Sequence, residues 1–224
     1  IMSQYMFLIV LAVVVLVLLL VKLFSLIGKA NREGWKKARH PLGYHLLYAF
    51  HILFHPFDGF WDLKHEKRGG TAAAPILLAL NFLASMMQKV MTARIFNTTY
   101  LEGFQIGMEL VQTVGVALLF VVANWCLTTL MDGEGSFRDI YVTVGYATLP
   151  LILTRLLVIP LSYCMTLDDQ MYITFILSLG TIWMVFLIFC GITTVHQYTA
   201  LKSLFTCLLS AAGMAVITTI LLLF

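Results

Sequence analysis

Residues 171–196 read MYITFILSLGTIWMVFLIFCGITTVH, and no Asp, Glu, Lys or Arg interrupts them. A helix needs about 20 mostly apolar residues to cross the ~30 Å hydrocarbon core of a bilayer. This stretch therefore predicts a membrane-spanning helix. Working outward, comparable apolar runs lie at 140–163, 105–131 and 71–94 before it and at 204–224 after it, separated by short segments containing Gly, Asp, Asn or Lys. A further run at 5–27 is too long and too rich in Val and Leu for a signal-peptide core, and no small-residue cleavage site follows it. Six spans are expected, in an all-α polytopic membrane protein.

The whole composition agrees. Hydrophobic residues make up 61% of the 224 and charged residues 11%, with a mean hydropathy of +0.94. No ordinary water-soluble domain keeps such a surface, and little length remains for a separate soluble domain. The net charge of +3 is less informative than its placement. Lys29, Arg32, Lys36, Lys37, Arg39, Lys64, Lys67 and Arg68 all fall in the one long polar connection, after the first run. The excess of Lys and Arg in cytoplasmic loops then places this connection inside, and alternation places both termini outside. Arg138 and Lys202 fall in connections expected inside, and the outer connection at 165–170 has no cation; Lys89 and Arg94 near the other outer connection weaken the pattern. Because the chain begins at Ile1, either an extracytoplasmic region precedes it or Met2 is the start. The expected location is a cell membrane.

Cys126, Cys164, Cys190 and Cys207 show no CxxC pair or zinc spacing and read as small apolar packing residues. Three regions are expected: a first span at 1–28, a basic and aromatic cytoplasmic segment at 29–70, and a five-span domain at 71–224.

Within the cytoplasmic segment, Pro41 suits the first turn of a helix and Pro56 would stop one, so 41–55 is expected as an interfacial amphipathic helix. At 100° per residue, Leu42, Leu46, Leu47, Phe50, Leu53 and Phe54 share one face, and Tyr44, His45, Tyr48, His51 and His55 the wet one. Five of the six histidines, His40, His45, His51, His55 and His65, fall in this region. His51 and His55 have the spacing of a helical metal pair, with Asp58, Asp62 and Glu66 as possible oxygen ligands. The Glu of an HExxH motif is missing, however, since Ile52, Leu53 and Phe54 intervene. The plainer reading is rings at a wet interface, and no metal, cofactor or catalytic residue is assigned. Phe57, Asp58, Phe60 and Trp61 are candidate contacts for a partner or for the lipid interface, where Trp is expected in any case.

Ionisable groups inside spans usually face a partner or a water-filled cavity. Glu109, early in one span, and Arg155, late in the next, fall in the outer half of the bilayer and form a candidate intramembrane ion pair. Gln105 and Gln112 share a helical face with Glu109. These residues leave a small transporter or channel open as an alternative, against a helix-locking salt bridge, which is the plainer reading because no broken helix or repeated Gly/Pro interruption accompanies them. Asn124, Thr128 and Thr129 read as interhelical hydrogen-bonding groups. The sequon Asn97-Thr98-Thr99 and the GxxxG spacing of Gly103 and Gly107 decide nothing by themselves.

Two stretches together resemble a known family. They are His55-Pro56-Phe57-Asp58-Gly59-Phe60-Trp61-Asp62-Leu63-Lys64, with the basic Gly-rich approach after it, and the set Asn124-Trp125, Asp132-Gly133-Glu134-Gly135-Ser136-Phe137-Arg138-Asp139 and Gly145-Tyr146-Ala147-Thr148-Leu149-Pro150. In order and spacing they are similar to the membrane domain of the Yip (Ypt-interacting protein) family, bacterial type, over about residue 54 to the C-terminus. The resemblance implies five spans with a cytoplasmic approach, the first span being an addition. It also implies non-enzymatic membrane proteins, whose eukaryotic members bind small GTPases and each other in vesicle traffic and membrane shaping. That GTPase role is not carried over. The Asp132–Ser136 loop lacks the GxxxxGK[ST] phosphate cradle and reads as a tight turn in which Gly removes steric cost and Ser136 caps the next helix. The expected function is an accessory or scaffold protein that meets lipid and another integral membrane protein, such as a transporter complex, and no nucleic acid.

Overall fold

The structure, a computed structural model, describes residues 15, 22, 42–66, 70–96 and 105–223, the side chains of 221 and 222 excepted. The expected first span, apart from Val15 and Lys22, lies outside the described residues, as do the basic stretch at 29–39, His40, Pro41, Gly103 and the sequon. Every described element is helical. Two short helices, α1 (Leu42–Phe54) and α2 (Pro56–His65), precede five spans long and apolar enough to cross a membrane. These are α3 (Ala73–Met91), α4 (Ile106–Leu130), α5 and α6 in line (Phe137–Ala147 and Leu149–Ser162), α7 (Gln170–His196) behind a 3-10 turn at Leu167–Asp169, and α8 (Ala200–Leu223).

Local chemistry explains the boundaries. Ser136 caps α5 as expected, within a capping box: its hydroxyl oxygen accepts from the Asp139 N–H, and Asp139 accepts from the Ser136 N–H at 3.0 Å. Between α5 and α6, Pro150 lacks the N–H that would return to Tyr146, and the chain tightens at Thr148, whose hydroxyl donates to the Gly145 carbonyl at 2.7 Å. Within α4, residues Val111–Gly115 widen into a π turn. The spans are therefore not uninterrupted helices, as the sequence had suggested; each departure is a single turn.

The α5–α6 span is the most buried and runs through the middle of the bundle. It packs on α3 and α7, with α4 against α5 and α8 outermost on α4. Its close packing uses glycines. A Cβ on Gly145 would lie 2.7 Å from the Ala74 Cβ, and one on Gly191 would lie 2.2 Å from the Thr143 methyl.

The helix expected to lie along the membrane surface packs part of its side chains into the bundle. Tyr48, Ala49, Ile52 and Leu53 are its buried residues, joining Ala73, Ala74, Leu77, Tyr146, Leu149 and Leu187 in the main core. Tyr48, assigned to the wet face, is buried, with its hydroxyl 3.1 Å from Asp62 Oδ2 and 3.3 Å from the Gly59 carbonyl. Leu42, assigned to the apolar face, is exposed. The Tyr146 hydroxyl donates to the His45 carbonyl and the Trp183 indole N–H to that of Leu53, which turns the helix to a protein-facing orientation.

Candidate functional site

The turns at 131–136 and 197–199 and the end of α2 lie at one end of the bundle and build a polar cluster there. The chain leaves α4 through Asp132 and α7 through Gln197, both with φ of 54°. Left-handed backbone thus falls on these two residues and not on the glycines of the Asp-Gly-Glu-Gly-Ser loop. The glycines serve proximity. A Cβ on Gly133 would stand 2.5 Å from His196 Nδ1 and 2.7 Å from the Tyr198 hydroxyl, and one on Gly135 would stand 2.7 Å from His196 Cε1. The loop closes directly over the imidazole.

His196 is 2% exposed. Its Nδ1 accepts from the Gly135 N–H at 3.2 Å, which leaves the proton on Nε2, a buried atom without a hydrogen-bond partner among the described residues. Tyr198 stacks on the ring with centroids 5.2 Å apart and donates to the Met131 carbonyl at 3.1 Å. Burial, followed by the nearby Asp132 charge, raises the Tyr198 phenol pKa, so it remains a donor. Lys202 donates to the same carbonyl at 3.0 Å, with its ammonium 4.2 Å from the Tyr198 ring centroid. From α2, Lys64 donates to the Val195 carbonyl at 2.7 Å and meets Glu134 at 3.5 Å. These cations neutralise carbonyls left open where α4 and α7 end. Beside the cluster, a cavity of about 160 Å³ opens between α2, α5 and the end of α7.

A second polar cluster lies toward the opposite end. Asn81, Ser85 and Lys89 recur every fourth residue along α3 and form one stripe. Arg155 on α6 donates to Asn81 Oδ1 at 2.8 Å and to its carbonyl at 3.2 Å. Ser85 and Lys89 both bond the Glu109 carboxylate of α4. The contact expected between Glu109 and Arg155 is thus replaced, because α3 inserts its stripe between them; the two remain close enough to interact electrostatically. Gln105 and Gln112 are exposed and do not line this cluster. The π turn after Glu109 instead brings Thr113 inward, where its hydroxyl donates to the Glu109 carbonyl at 2.8 Å.

The other expected site residues divide. Phe57 and Trp61 are 50% and 49% exposed, and Asp58 beside them is exposed. Phe60 is fully buried in the main core, pointing to the side of α2 that packs on the bundle, and offers no surface contact. His51 and His55 stack on each other with centroids 5.1 Å apart, and His65 stacks on Trp61 at 4.5 Å. Among the described residues, no group of three or more His, Cys, Asp or Glu is placed to share a metal ion. Asn124 donates to Ser210 at 2.9 Å, an interhelical bond of the expected kind, and Thr128 is buried beside it, whereas Thr129 is exposed. Cys190 packs in the core, while Cys126 and Cys164 are exposed and do not pack. His196, central to the loop-end cluster, went unassigned in the sequence; its signal was a lone imidazole closing an otherwise uncharged span.

Fold and polar clusters together define an integral membrane protein whose helices are tied to each other by buried hydrogen bonds and ion pairs. A family model described as the Yip1 domain matches residues 50–223, and the chain belongs to that family. No curated protein and no solved structure matches it.

Proposed function

We propose that this protein is a non-enzymatic membrane scaffold that holds another integral membrane protein, such as a transporter subunit, at the loop end of its bundle. The observation that carries this reading is the outward pair Phe57 and Trp61. They lie one turn apart on α2, about half exposed, while Phe60 on an adjoining side is sunk in the core and Lys64 ties the helix to the end of α7. Rigidly held aromatic side chains lose little entropy on association and are the usual anchors of protein contacts.

In this reading the loop end faces the cytoplasm of a bacterial cell, consistent with Lys64, Arg138 and Lys202 there, and the C-terminus lies outside. A leading span at 1–28 and an approach at 29–70 precede the five-span domain at 71–224. The alternative of a conduction path through Glu109 and Arg155 is not favoured, since each is bonded to α3 and acts as a helix lock.

A photo-crosslinking amino acid at position 57 or 61, activated in living membranes, tests the proposal. A discrete adduct with one membrane protein is expected from both positions and not from Leu208 on the outer side of α8. Adducts with lipid alone would overturn it and leave the aromatic pair as an interface anchor.

A further inference from the structure

The cavity at the loop end contains more hydrogen-bond donors than its own walls can use. Thr143 is 1% exposed and lines it, with its methyl facing Gly191. Thr71 lines it from the approach to α3, and its hydroxyl oxygen is buried and unpartnered among the described residues. Unpartnered buried hydroxyls are costly and uncommon. One of them, in a small cavity that Thr143 and two cations also line, points to a guest.

The charged groups indicate which guest. Arg138 and Lys64 line the same cavity, and the Arg138 guanidinium makes no hydrogen bond or ion pair among the described residues. Two carboxylates oppose them. Asp139 is held by the Ser136 N–H and hydroxyl at 3.0 and 2.7 Å, at the positive end of the α5 dipole. Glu134 reaches only Lys64, at 3.5 Å. The donors left over are therefore one guanidinium and the Thr71 hydroxyl, with the Thr143 side chain and an ammonium beside them, around about 160 Å³. A compact anion with several acceptor oxygens satisfies such a set, and guanidinium matches phosphate geometry with two parallel bonds.

We propose that this cavity binds a phosphate group, of a lipid headgroup or of free phosphate, through Arg138, Lys64 and the hydroxyls of Thr71 and Thr143. Its position at the end of the spans, beside α2, is the depth at which a headgroup phosphate lies.

The test measures the melting temperature of the full chain in detergent against increasing dioctanoyl phosphatidate, inorganic phosphate or, as phosphate-free control, dioctanoylglycerol. A saturable rise with phosphatidate and none with dioctanoylglycerol is expected. A matching rise with inorganic phosphate assigns the site to free phosphate, and its absence assigns it to a headgroup. Arg138 is exposed and makes no bond among the described residues, so Arg138→Gln should leave the unliganded melting temperature unchanged and weaken binding about tenfold, the effect of one charge-assisted contact. Thr143→Val, nearly equal in volume, should weaken it in the same direction. No saturable response to either phosphate compound, or undiminished binding in both variants, would overturn the proposal.

Discussion

At the residue scale, the loop over His196 shows how little room a polar site in a membrane protein can leave. Gly135 has ordinary backbone torsions, so its lack of a side chain matters only for the space it concedes. A methyl group there would lie 2.6 Å from Val195 Cγ1 and 2.7 Å from His196 Cε1. Gly135→Ala is expected to cost roughly 1–3 kcal/mol, as overpacking does in a filled interior, and to lower the melting temperature in detergent. Gly107→Ala is its control: no described atom lies within 4 Å of the added Cβ, and Ala is the better helix former, so this variant should be neutral or slightly stabilised. Equal behaviour of the two variants would contradict the close approach. The resemblance drew attention to this loop from its letters alone, but its turn chemistry was only half legible. The left-handed residue is Asp132, and the reason for glycine is an imidazole 61 positions away.

At the element scale, polar rows join the helices alongside their apolar core. On α8, the buried row is Ser203, Thr206 and Ser210, while Leu204, Phe205, Leu208 and Val216 point outward. Apolar association has no driving force in lipid, which is as apolar as leucine, so small and hydrogen-bonding residues form the contacts. The row on α3 works likewise, holding α6 through Asn81 and α4 through Ser85 and Lys89. Glu109→Gln keeps an acceptor for Ser85 and removes the charge that holds Lys89. A loss of roughly 1–3 kcal/mol is expected, seen as a lower melting temperature with oligomeric state unchanged. A variant that keeps its stability but loses solute flux in proteoliposomes would instead restore the transport reading. The sequence located Glu109 and Arg155 as the charges that need partners. It could not name the partners, because α3 supplies them from 20 and 74 positions away.

At the scale of the whole molecule, five described spans place the turns at 131–136 and 197–199 at one end and the turn at 163–169 at the other. With the native cysteines replaced, single cysteines at Glu134, Thr199 and Asp168 read the threading through a membrane-impermeant maleimide. Asp168→Cys should label in intact cells, and Glu134→Cys and Thr199→Cys only after permeabilisation. Labelling of Glu134→Cys and Asp168→Cys from one side would contradict the threading, and the reverse pattern would contradict a cytoplasmic loop end.

Element type and the existence of spans follow from the amino-acid order by itself, because both depend on local quantities: about 20 apolar residues in a row, a proline where a helix pauses, a serine where one begins. Facing does not follow from it. In lipid an apolar side chain is at home on either side of a helix, so hydropathy carries no inward direction, and the face of α1 and the burial of Phe60 could not be read from it. Those were decided when distant polar groups met, Lys64 with the carbonyl 131 residues on and Asn124 with Ser210, since a buried donor without an acceptor costs more than any choice of apolar face.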